Sequence, residues 1–269
     1  MAIEHHASLW RTFWTNAVLA PRTSLGFMRA DYVFGSVVIV PFTQMVFFAT
    51  VAGLAGNAQA SVAFVVLGNA VATVTYTSIF AVCQTTDQEK NHGTMEHLLV
   101  SPANRVAMYL GRGFIPILTS LATVTVGLVY AALIFHVSFA AVNLPFLAFS
   151  IAITTVAMVS FGLLLGGVAL FLRTSIILGN IFLFIGLLLS GVNFPVTFLP
   201  EPVRLAGEFF PLTWGVAAVR ASVAGDGLAT LWPLWGYVAV ELFGSLVLAM
   251  ALWQVFERRA LATGSIVRF

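Results

Sequence analysis

Charged, proton-carrying and metal-binding side chains are scarce in this chain and confined to a few places. Glu241 stands alone in an apolar run, WGYVAVELFGSLVL. A carboxylate at such a depth is costly. It serves either as a proton or ion relay or as a neutral or hydrogen-bonded group inside a helix bundle. Transporters built on such relays also carry broken helices and further intramembrane charge, and neither is evident here. His92 and His97 are five positions apart, about 140° around a helix, so they do not share a face for a metal, and no metal site is expected. The one lysine, Lys90, follows TTDQE rather than a G-x-x-x-x-G-K-[ST] loop, so no backbone amides cradle a phosphate there and the chain is not expected to hydrolyse ATP itself. No nucleophile turn of the G-x-S-x-G kind accompanies the serines, so no catalytic residue is assigned and no enzyme is expected. Cys83, the single cysteine, excludes an internal disulfide framework.

The elements that must position these few groups are membrane spans. The chain is 60% hydrophobic and 8% charged, where a soluble domain is roughly a quarter charged. Residues 32–86, 113–172 and 174–200 contain no Asp, Glu, Lys or Arg, and about 20 apolar residues cross a bilayer as a helix. Runs such as FGLLLGGVALFL do not alternate, which points to helices rather than barrel strands. Block 32–86 breaks at GLAGNAQA (53–60), and block 113–172 breaks at HVSFAAVNLP (136–145), where Asn143 and Pro145 begin a new helix. A fifth span is expected over about 175–195 and a sixth over about 228–256. The fold expected is therefore all-α and integral to the membrane, with six transmembrane helices in one domain over 1–269. Gly162 and Gly166 form a GxxxG, which permits close packing within the protomer or between two copies.

Ten of the twelve basic residues fall in the N-terminal tail, the 87–112 loop, the turn at Arg173 and the C-terminal tail. The positive-inside rule places these segments, and both termini, in the cytosol of a multi-pass protein of the cytoplasmic (inner) membrane. Only Arg204 and Arg220 fall on the other side. No cleavable signal is expected at the N-terminus, which has no uninterrupted apolar core followed by a cleavage site. Within residues 1–30, Trp10, Phe13, Trp14, Ala17 and Val18 recur at helical spacing, as in a helix lying at the membrane lipid surface with its tryptophans at headgroup depth. The formal net charge of +2 is small and dispersed, and no nucleic-acid partner is expected.

The stretch QEKNHGTMEHLLVSPANR (88–105) interrupts this economy of charge. Met95, Leu98 and Leu99 lie at i, i+3 and i+4, with Glu96 and His97 on the remaining face and Pro102 ending the pattern, so a short amphipathic cytosolic helix is expected. Such a helix either lies on the membrane or docks into a partner's groove. The residues alone leave both open.

Glu89, the run Gly93-Thr94-Met95-Glu96, then Leu98-Leu99, Ser101-Pro102, Arg105 and Leu110-Gly111-Arg112 resemble the cytosolic loop of type-2 ATP-binding-cassette (ABC) exporter permeases. SGVNFPVTFLPEPVRLAGEFFPLTWGVAAVR (190–220) is similar to that family's last outer loop, through Phe194-Pro195, Leu199-Pro200, Pro211-Leu212 and Arg220. The resemblance implies that 93–102 is a coupling helix seated on a separate ABC ATPase subunit, which would bind ATP and Mg; this chain itself would hold no cofactor. It further implies that 195–227 re-enters the membrane from outside as two short helices, over about 195–205 and 210–223. It also implies that two permease subunits, expected to form a homodimer, flank the substrate path. The expected function is export from the cytoplasm of an amphiphilic or hydrophobic substrate such as a drug or antibiotic, a lipid, or a glycolipid or polysaccharide. The alternatives are an ion-coupled transporter or channel using Glu241 and, with less to support it, a membrane-embedded lipid enzyme.

Overall fold

A computed structural model of the protein describes residues 34–91, 110–111, 113–171 and 175–263. Every regular element among them is helical. Five helices are long and apolar enough to cross a bilayer: α1 (Gly35–Ala55, opening with a π-helical turn), α2 (Val62–Asn91), α3 (Phe114–Leu133), α4 (Leu144–Ala169) and α8 (Leu228–Thr263). Between α4 and α8 lie α5 (Ser175–Leu189), α6 (Glu201–Glu208) and α7 (Pro211–Ala224).

The breaks fall where local chemistry demands them. α1 stops at Gly56, whose φ of 60° is the left-handed cap that glycine adopts without strain. Asn57 then accepts a hydrogen bond from the Gln59 N–H and turns the chain toward α2. α4 starts behind Asn143, whose side chain accepts from the Phe146 N–H at 3.4 Å, with Pro145 in the first turn where a missing N–H costs nothing. Both breaks overlap the segments expected from sequence.

Three expected boundaries need correction. The fifth helix does not continue to Pro195 but ends at Leu189, because the chain turns through Gly191 at φ 65°. Its 15 residues extend about 22 Å, short of the roughly 30 Å hydrocarbon core. The first short helix of the following connection begins at Glu201 rather than near 195. Pro195, Leu199 and Pro200 all hold extended backbone, Leu199 because a following proline disfavours the helical region, and only a 3-10 turn at Val196–Phe198 intervenes. The final helix runs on past the expected end to Thr263.

α2 is the centre of the bundle and packs against α1, α3, α4, α5 and α7. From Val65 to Thr75 every residue of α2 is buried, so this helix has no lipid-facing side over that length. Small residues let its neighbours approach. Gly127 of α3 lies on Ala70, and Gly162 of α4 lies on the Ser78 carbonyl, 2.8 Å from where a Cβ would stand. The first glycine of the GxxxG is thus an internal contact of the protomer. Hydroxyls satisfy one another across the seams: Thr77 and Ser78 of α2 share hydrogen bonds with Ser120 of α3 at 2.6 and 3.2 Å. α8 lies at the periphery on α4 and α7, and exposes Tyr237, Val240, Phe243, Val247 and Leu248. Large apolar side chains of α1 and α5, including Phe47, Leu54, Ile177 and Phe184, are exposed as well.

Candidate functional site

Polar groups that an apolar bundle buries are the ones that need explanation, and one set of them lies where the first turns of α2 meet the turn after α5 and the helix α7. Gly191 and Val192 in that turn present their carbonyls to a side chain of α7 rather than to backbone N–H groups. Arg220 of α7 meets them: Nη1 donates to Gly191 O at 2.9 Å, and Nη2 donates to Val192 O and to Phe64 O of α2, both at 2.8 Å. The guanidinium carbon also lies 3.4 Å from the centroid of the Phe64 ring, a cation–π contact. One side chain therefore ties three segments together. Gly68, one helical turn beyond Phe64, makes room for this, because a Cβ there would overlap Val192 O and Arg220 Nη2.

Beside the arginine a second polar chain crosses the same seam. Gln44 Nε2 of α1 donates to Asn69 Oδ1 at 3.0 Å, and Asn69 Nδ2 donates to Asn193 Oδ1 at 2.8 Å and to Val65 O at 2.9 Å. Asn69 is wholly buried, and its amide links α1, α2 and the turn after α5. In an apolar surrounding each unmade hydrogen bond is costly, so these groups favour one relative placement of the three segments.

The α6–α7 hairpin is seated through α7 and the end of α6, while Glu201, Pro202, Leu205 and Ala206 of α6 stay exposed. The Trp214 Nε1–H and the Thr213 hydroxyl donate to the Glu208 and Gly207 carbonyls, closing the end of α6. Gly207 lies on the Leu189 carbonyl, and Gly186 of α5 lies under the Phe210 ring. On the other face Gly215 nests against Thr154 of α4. Trp235 of α8 donates to Ser150 Oγ at 2.8 Å, which in turn lies 3.0 Å from Ser222 Oγ of α7. Eight of the fourteen residues of α7 are buried, Leu212 and Pro211 among them. A helix so enclosed by α2, α4 and α8 is part of the bundle rather than a surface loop.

Of the sequence-derived residues, Arg220, Pro211 and Leu212 come together in this way. Pro195 and Pro200 bound the 3-10 turn, and Phe194 and Leu199 flank it half-buried. Glu241 is half-buried midway along α8 and has no hydrogen bond or ion pair among the described residues. Glu89 lies near the end of α2. Gly93, Thr94, Met95, Glu96, Leu98, Leu99, Ser101 and Pro102, and the anchors Trp10, Phe13 and Trp14, lie outside the described residues. Phe64, Gly68, Asn69, Asn193 and Gln44 were not singled out from sequence. The available signal was Gln44 and Asn69, amides placed inside charge-free spans.

Residues 16–223 match the family model described as ABC-2 type transporter. No curated protein matches the chain.

Proposed function

The chain belongs to the ABC-2 type transporter family, as a transmembrane subunit of an ABC transporter, and on that premise we propose that it is the permease of an exporter driven by a separate ATPase. In this reading ATP and Mg are bound by the partner, which receives 93–102 as a coupling helix, with Leu98 and Leu99 as its apolar knobs and Glu89, Gly93 and Glu96 shaping the dock. Ten of twelve basic residues lie on the side given to the cytosol, which supports cytosolic termini in the inner membrane. Counting α5 as a short crossing makes six spans and returns the chain to that side. The α6–α7 hairpin, with α7 enclosed in the bundle, is then the re-entrant element of the outer face, and two copies flank a path for an amphiphilic substrate.

The observation that carries this reading is the continuity of α2. It is one helix from Val62 to Asn91. Phe64, Gly68 and Asn69 in its first turns hold the outer contacts, and its last residue leads within two positions to Gly93. Between Phe64 and Glu89 the helix spans roughly 38 Å at 1.5 Å per residue. A push on 93–102 therefore reaches the Arg220 and Asn193 contacts through a rigid rod, and their breaking and remaking separates two states of the outer end. The test is reconstitution: vesicles holding the chain with its ATPase should take up or release an amphiphile only with ATP and Mg. Transport that persists without the ATPase, or that follows an ion gradient, would sink the reading in favour of an ion-coupled route through Glu241.

A further inference from the structure

The first turn of α2, the turn after α5 and the α6–α7 hairpin line a half-open cavity of about 250 Å³. Phe64, Pro195, Val196, Trp214 and Ala217 give it apolar walls, and Arg204, Glu208, Arg220 and Ser190 give it polar ones. The hydrogen bonds of Arg220 go to carbonyls, and no carboxylate pairs with it among the described residues. Its Nε–H is buried and has no partner among them. A buried cation without a counter-charge is unfavourable, and it is relieved by an anion. Ser190 is 2% exposed, lines the same cavity, and its Oγ likewise lacks a partner among the described residues. Arg204 adds a second cation, so the lining carries two positive groups against the single carboxylate of Glu208.

We propose that this cavity is a binding site for the phosphate-type anionic headgroup of an amphiphile, with Arg220 and Arg204 holding the anion. The volume suits a headgroup and not a whole lipid, since pockets for drug-sized molecules begin at roughly 300 Å³. The rest of the amphiphile has a surface to follow. Leu205 and Phe209, each next in sequence to a charged lining residue of α6, are 48% and 73% exposed, and Phe198 is 49% exposed. Glu208 limits the charge accepted, because its carboxylate repels a polyanion. The site stands whether or not the bound molecule is the one transported, and it does not depend on coupling to an ATPase.

The experiment uses the full-length chain purified in a neutral maltoside detergent and titrated with three probes: dihexanoyl phosphatidylglycerol, the neutral dihexanoylglycerol, and inorganic phosphate. Tryptophan fluorescence, to which the wall residue Trp214 contributes, reports binding. Saturable binding of the anionic amphiphile and none of the neutral one is expected. Arg204→Gln should weaken it about tenfold, the loss of one charge-assisted hydrogen bond, and Ala217→Phe should abolish it by filling the cavity. The Arg204 side chain makes no hydrogen bond or ion pair among the described residues, so Arg204→Gln should fold as the wild type does, and heat stability checks this. Competition by inorganic phosphate at the same concentration would keep the anion site and assign it to a free anion, whereas competition only at much higher concentration assigns it to the lipid-like molecule. Equal binding of the neutral amphiphile, or unchanged binding by both variants, overturns the proposal.

Discussion

Arg220 and Gly68 act on one contact, and a double-mutant cycle can show it. Arg220→Met removes three N–H···O bonds at 2.8–2.9 Å and a cation–π contact. Charge-assisted hydrogen bonds contribute about 1.5–3 kcal/mol each. Phe64 O keeps its helical partner, and water in the adjacent cavity, which Gly191 lines, can reach the Gly191 carbonyl, so the sum is discounted to about 2–4 kcal/mol. Gly68→Ala reaches the same bonds by a different route. Its new methyl overlaps Val192 O and Arg220 Nη2, so either the guanidinium withdraws or the turn lifts off α2, for about 1–3 kcal/mol by analogy with overpacked cores. If both break the same contact, the double variant costs about as much as the worse single one. The assay is the fraction of protein remaining monodisperse after graded heating in detergent, read for wild type, both single variants and the double. Additive losses would refute the reasoning, as would a Gly68→Ala protein as stable as wild type.

Other consequences are simpler. Asn69→Leu keeps the volume but removes the amide that joins Gln44 to Asn193, and should cost about 1–2 kcal/mol, given that interhelical hydrogen bonds in membranes average about 0.6 kcal/mol each; the same heating assay reads it. Gly162→Ala puts a Cβ 2.8 Å from the Ser78 carbonyl and should lower the yield of folded protein by forcing α4 from α2, whereas a normal yield would mean that this seam yields easily. Glu241→Gln should leave ATP-driven transport intact, because no partner group depends on its charge among the described residues; lost transport with unchanged ATP turnover would point to an ion-coupled role.

The spans were legible because the absence of charge over 32–86 and 113–172 has few structural outcomes, and their breaks because Gly56, Asn57 and Asn143 carry their turn chemistry in their own side chains or lack of one. The end of α5 was harder. Leu189 is followed by sequence still free of charge up to Pro200, and the turn depends on the left-handed Gly191, whose carbonyl is then held by an arginine 29 positions later. Arg220 was marked by its place in a motif, but its partners are backbone carbonyls, which no residue type announces. Gly68 was silent for the same reason, since its role is defined by what would collide with a side chain it lacks. Hydropathy counts Asn69 and Gln44 as minor interruptions, and only the packing of α1 and the post-α5 turn onto α2 turns them into a chain of hydrogen bonds.

Whether work enters at 93–102 and leaves at the outer contacts can be read at one pair of positions. The Asn69 and Asn193 side chains meet at 2.8 Å, so cysteines there, in a background with the buried Cys83 replaced by alanine, should be bridged by a short bifunctional thiol reagent. In the complex with the ATPase, cross-linking should fall when ATP is bound and recover after hydrolysis, and Leu98→Asp should leave the cross-link insensitive to ATP while the protein remains inserted. Cross-linking unaffected by ATP in the intact complex, or an ATP response that survives Leu98→Asp, would contradict the transmission of work along α2.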